Sequence, residues 1–278
     1  MWARFHPTIP VPWSGTLRYS TLLVGHALVA AAALVLAPPT QPALAIAGGV
    51  PRAHHPWGRF APGSWKLVRV VTETLGPDDK AATTSTTETR TTLEELSDAS
   101  VKLLINTSVE VAGKKVDAKP QTIVQGYHGE SADQPVTVKD LGPDKVTIDG
   151  QEIACRVQQV ETTADGAKTT AKTWYSDSVA PYVLRRESVA TEAETDKPLS
   201  ETKVRIVDLD DEQTVLAVKR HAVKLVVTHK HAKGHTVTQV WSTLEVPGGI
   251  IAHKSEEFDA AGQAIRGSRL ELVDFGVK

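Results

Sequence analysis

Two stretches of this chain repeat one another at a spacing of about 67 residues, and that repetition restricts the fold more than any other feature. Asp140-Leu141 aligns with Asp208-Leu209, Trp174 with Trp241, Val179-Ala180-Pro181 with Val246-Pro247, and Val183-Leu184 with Ile250-Ile251. Lys203-Val204-Arg205-Ile206-Val207-Asp208-Leu209 then aligns with Arg269-Leu270-Glu271-Leu272-Val273-Asp274-Phe275. Each copy, over 140–207 and 208–275, reads as a hairpin ending in Trp, a Pro-containing corner, a strand, a variable loop and a closing strand. A Trp at a strand end lays its ring across a sheet, and the Pro after it sits where no ladder donor is needed. The repeated positions therefore serve architecture rather than chemistry.

The local pattern has period two. Trp65, Leu67, Arg69 and Val71 alternate with Lys66, Val68, Val70 and Thr72 up to the turn Leu75-Gly76-Pro77-Asp78. Residues 81–93 are Thr-rich and read as an exposed strand, because β-branched side chains suit a pleated surface. Val101, Leu103, Ile105, Thr107, Val109 and Val111 share one face of the next, and further strands fall at 121–127, 136–138, 145–148 and 153–161. Only 188–195 has the spacing of a short helix. Leu75-Gly76-Pro77-Asp78 echoes Leu141-Gly142-Pro143-Asp144, which makes 64–139 a degenerate third copy. The expected fold is all-β: one repeat-built domain over 64–278, a broad curved antiparallel sheet in the form of a half-barrel or open barrel.

The N-terminus reads as an export signal. Arg4 and Arg18 precede an uncharged, mostly apolar run at 21–36, and Ala43-Leu44-Ala45 is a small-x-small triplet, so cleavage is expected after Ala45 or Ala47. The run is too short for a span of roughly 20 apolar residues, so no membrane span is expected after cleavage. Residues 1–45 are thus a signal peptide and 46–63 an extended lead-in, with export to the periplasm or beyond. A formal net charge of −2 with mixed signs leaves no basic face for nucleic acid. Cys155 is the single cysteine, so no internal disulfide forms and stability must come from burial.

Trp-x-Ser at Trp174 to Ser176 and Pro-Gly-Gly-Ile at Pro247 to Ile250, set in Thr/Val-rich strands behind a leader, resemble bacterial exported domains of the lipoprotein-carrier type. Exported bacterial families of unassigned role look similar. The resemblance covers about residues 140–275 and lacks the helices that plug the carrier's concave face. It implies a half-barrel that cradles acyl chains.

The candidate chemistry lies in histidines. Leu225 to His231 and His235 to Thr238 read as two strands joined by Ala232-Lys233-Gly234. His229 and His231 are two apart on a strand and share a face. A three-residue loop would set His235 beside His231, and three converging imidazoles suit Zn or Cu; His221 and His253 are further candidates. The aligned hairpin, from Glu161 to Ala167, has no histidine, and a solvated tip accounts for the residues equally well. His54-His55 lies in the lead-in, too far from Ile46 for an amino-terminal chelate. No nucleophile elbow or nucleophile–base spacing is present, and Asp208 and Asp274 read as turn caps. The sequence therefore points to a non-catalytic exported module, without a required cofactor, that carries a lipid or other apolar ligand. Two alternatives are a structural or interaction protein of the cell envelope, meeting an envelope protein partner through its strand edges, and a metal-binding protein centred on His229, His231 and His235.

Overall fold

The computed structural model describes residues 52–76, 81–127, 130–131, 134–164 and 166–278. The leader read over 1–45, its cleavage positions and the first lead-in residues lie outside the described residues. The described strands are β1 (Trp65–Leu75), β2 (Ala81–Leu96), β3 (Ser100–Val111), β4 (Lys114–Asp117), β5 (Gln121–Gly126), β6 (Val136–Ile148), β7 (Gln151–Ala164), β8 (Ala167–Tyr175), β9 (Val183–Glu192), β10 (Pro198–Val215), β11 (Val218–His231), β12 (Gly234–Ser242), β13 (Ile250–Asp259) and β14 (Ala264–Gly276).

They form one antiparallel sheet that curves but does not close. From one edge it runs β6 through β14 in chain order, then β1, β2 and β3, with β4 and β5 along the outer side of β3. The first strand therefore lies beside the last, and Arg69 marks the seam by pairing with Glu88 of β2 and Glu271 of β14. Residues 188–195 are not helical. Ser188 sits in β9, whose pairing with β8 and β10 continues to Thr191, and the ladder contacts override a weak local spacing.

The long hairpins β6–β7 and β10–β11 each carry a bulge after an aligned aspartate. Asp140 Oδ1 accepts the Gly142 N–H, and Asp208 Oδ1 accepts the Asp210 N–H. Beyond each bulge the hairpin tip is held to its own unit by a tryptophan. Trp174 Nε1 donates to Asp144 at 2.8 Å, and Trp241 Nε1 donates to Asp211 at 2.6 Å, 30 residues back in each case. Arg185 lies over the first indole and Lys224 over the second. The first tie depresses the Asp144 carboxyl, with the Trp174 hydrogen bond its main cause. A buried hydrogen bond to a charged acceptor contributes about 1.5–3 kcal/mol and a more exposed one less. Trp241→Phe is accordingly expected to cost about 1–2 kcal/mol, Asp211→Ala a similar amount, and the double variant no more than the larger single loss. Urea unfolding of the three would show additive losses if the pair were not coupled.

The Leu75 and Leu141 motifs do not occupy equivalent places. Gly142 lies within β6 at its bulge, whereas Leu75 ends β1, and Pro77 and Asp78 lie outside the described residues. The third place beside the two copies is filled from both ends of the chain. β1 stands against β14 as β7 stands against β6 and β11 against β10.

Two apolar clusters fill the inside of the curve. The larger joins Val68 and Val70 of β1 to Val204 and Ile206 of β10 and to Ile153 and Cys155 of β7, strands far apart in sheet order, so the sheet curls around it. The smaller is made by the lead-in. Residues 52–63 are not extended: Arg52–His54 is a 3-10 turn followed by further turns, because only a turned chain can aim both Trp57 and Phe60 at Leu93, Val101, Leu103 and Tyr127. The Gly248 N–H donates to Pro56 O, and buried Lys66 donates to Gly248 O from beneath the Trp57 ring. Gly248 has φ +72° and a Cβ there would lie 2.8 Å from that ring, so glycine alone fits.

Candidate functional site

Strand register sets the character of the concave face in successive rows. Deepest, Ile206, Leu225, Val240, His253, Leu270 and Val70 stand side by side across β10–β14 and β1, five aliphatic groups and one imidazole. All are buried. Two residues further along each strand the row is Val204, Val227, Thr238, Ser255, Ser268 and Thr72. Two further still it is Ser188, Thr202, His229, Thr236, Glu257 and Arg266. In this last row Ser188 and Thr202 are buried, and His229, Thr236, Glu257 and Arg266 are half-buried. The face thus passes from a filled apolar floor to a polar trough, because the strands change from Val/Leu/Ile to Ser/Thr at their inward positions.

The trough is internally wired. Thr202 Oγ1 lies 2.8 Å from His229 Nδ1, Thr238 Oγ1 2.8 Å from Ser255 Oγ, and His253 Nε2 3.3 Å from Ser268 Oγ. Glu257 and Arg266 are paired at 3.1 Å. Burial pushes His253 down to about 4; burial first and the adjacent His231 second also lower His229, so both imidazoles are neutral at pH 7. The trough presents hydroxyls, neutral rings and one compensated ion pair.

The three histidines singled out by sequence do not converge. The β11–β12 turn is two residues long, Ala232-Lys233, and Gly234 already pairs with His231. His235 therefore pairs with Lys230 and points to the opposite face from His229 and His231, since a one-residue change of register exchanges the faces. There His235 stacks on Phe258 with ring centroids 4.8 Å apart. His229 and His231 remain together at 5.6 Å. His221 bonds Asp210 at the far tip of β11, and His253 belongs to the floor. Among the described residues no group of three or more His, Cys, Asp or Glu is placed to hold a metal.

His54 stacks on Tyr182 at 3.6 Å with its Nδ1 2.6 Å from the Tyr175 hydroxyl, and His55 is buried against Tyr127, so both fasten the lead-in. Cys155 is buried with its thiol pushed up by desolvation, which fits a packing role. The shallow depression around Arg69, Thr86, Glu88 and Lys115 lies on the outer face, where Glu88 is held below the usual carboxylate range chiefly by Arg69. Its charges pair with one another across β14, β1, β2 and β4 and act as a brace. The trough residues Ser188, Thr202 and Thr236 were not singled out by sequence. The signal available was that Thr202 shares the inward parity of Val204 and Ile206.

No family model matches the chain, and none of the curated proteins does. Among solved structures the chain is similar to a protein from Bacteroides fragilis described as exported, with a YmcC-like fold, at 9% identity over 78% of this chain and 97% of that one, TM-score 0.33. It is also similar to a protein from Parabacteroides distasonis described as a lipoprotein, at 8% identity over 78% and 96% of the two chains, TM-score 0.32. A DUF1329 family protein from Desulfovibrio piger shows 8% identity over 81% and 92%, TM-score 0.35. Similarity of this degree bears on neither ligand nor activity.

Proposed function

We propose that the protein is an exported, non-catalytic binding module that holds its ligand along the polar trough of the concave face. The observation that carries this reading is the gradient of that face: its apolar floor is occupied by the chain's own buried Val, Leu and Ile side chains, while its upper rows turn to half-buried Thr, Ser and His groups at His229, Thr236, Thr238, Ser255 and Ser268. A filled floor gives a bare acyl chain little to bury against, so the trough suits a ligand that offers neutral hydrogen-bonding groups, such as the headgroup end of an amphiphile. Export rests on Arg4, Arg18, the apolar run 21–36 and Ala43-Leu44-Ala45.

The edges give less support to an envelope protein that pairs through its strands. β6 carries a bulge, Pro143, Lys139 and Lys145, and β4 is four residues long with Lys114 and Lys115, the features by which sheets discourage edge pairing. Native mass spectrometry of the protein purified from its own host tests the binding reading. An adduct released on denaturation is expected for the natural chain and lost from a folded Thr236→Trp variant, whose indole would fill the trough. A bare mass for the natural chain overturns it.

A further inference from the structure

We propose that His229 and His231 form a two-imidazole chelate for a divalent transition metal at the rim of the trough, with copper(II) preferred over zinc. The two rings project from alternate positions of β11 onto one face with centroids 5.6 Å apart and planes inclined by 36°, close enough for one ion to lie between them. Their cross-strand neighbours on β10 are Thr202 and Ser200, both with small side chains. Thr202 also supplies the outer support that metal-binding imidazoles need. With Nδ1–H donated to Thr202 Oγ1 at 2.8 Å, His229 keeps its Nε2 lone pair for a ligand. His231 Nδ1 accepts the Lys233 N–H at 3.2 Å, a long and exposed contact that gives way when the ring ligates through that nitrogen.

The carboxylates in the two rows, Glu257 beside His229 and Asp259 beside His231, each lie two strands away, Glu257 engaged by Arg266 and Asp259 by the N–H groups of Ala261 and Gln263, and among the described residues no third ligand joins the pair. Two imidazoles are therefore the protein's whole contribution, and water completes the shell. That favours copper(II), which heads the stability order of divalent metals at nitrogen sites and accepts tetragonal N,O coordination, whereas structural zinc sites use four protein ligands.

The opposite orientation of His235 supplies an internal control. The full chain is titrated with copper(II) alone, by calorimetry and electron paramagnetic resonance, alongside His229→Asn, His231→Asn, His235→Asn and Thr202→Val variants whose β-sheet circular dichroism matches the parent. The parent and His235→Asn are expected to bind one equivalent with a two-nitrogen hyperfine pattern. His229→Asn and His231→Asn should weaken that equivalent at least tenfold, and Thr202→Val roughly tenfold through loss of ring support. Undiminished binding by His229→Asn, or an equal loss in His235→Asn, overturns the assignment.

Discussion

Lowering the pH from 7 to 4.5 is expected to remove on the order of 5 kcal/mol of stability, through two imidazoles. His253 stands among aliphatic side chains on the floor, and His55 is enclosed by the lead-in with its Nε2 unpartnered; burial pushes them down to about 4 and about 3 from an ordinary 6.5. The sign follows from the depressed folded values. Above pH 6.5 both the folded and the unfolded chain carry neutral rings, and the contribution is complete. Below it the unfolded chain takes up two protons that the folded chain refuses, and each costs about 1.4 kcal/mol per pH unit until the folded rings titrate. An ordinary Glu is already close to half protonated at pH 4.5, so the share of the histidines is isolated by substitution rather than by the window alone. His253→Leu should restore about half of the loss, because leucine matches its neighbours Val240 and Leu270. Urea midpoints measured at pH 7 and 4.5 decide it, and equal midpoints for the natural chain would sink the idea.

Trp57→Ala is expected to cost about 3–5 kcal/mol, the range for deleting a buried aromatic ring from a core. The indole is 3% exposed and binds together Phe60, Leu93, Val101, Leu103 and Tyr127. Its loss would also leave the Lys66 ammonium, already lowered to about 8 by burial, without the ring above it. The consequence should be local first. Amide exchange in β2 and β3 is expected to quicken more than in β10 to β12, which rest on the other cluster. A loss under 1 kcal/mol would show that the lead-in is an appendage rather than part of the core.

Much of this fold is legible in one dimension. Period two survives in the sequence because inward Val68, Val70, Leu270 and Leu272 alternate with outward Arg69, Arg269 and Glu271, and the two copies are visible because Trp174 and Trp241 each need an aspartate at the same distance. What period cannot convey is which strands become neighbours. Nothing local to Trp65 announces that it will lie against Gly276, and nothing local to Trp57 announces that the lead-in turns inward. The His hairpin shows how narrow the margin is. Counting Gly234 as loop rather than strand moves His235 to the wrong face, and the residues on either side read equally well both ways. The polar trough was hidden for a related reason, since Thr-rich strands look the same whether their hydroxyls face the outside or the inside of a curve.

The seam between β1 and β14 also sets an order of events in time. Arg69 meets Glu271 across 202 residues of chain, so β1 can complete its ladder only when the final strand arrives. A chain emerging amino end first would have β1, β2 and β3 available early, with one long side of β1 bare and its inward Val68 and Val70 uncovered. Contacts of such separation make folding slow and leave intermediates prone to association. This architecture therefore favours a chain that stays unfolded until all of it has been delivered, and removal of the last fifteen residues would strip the partner from two strands at once, β1 and β13.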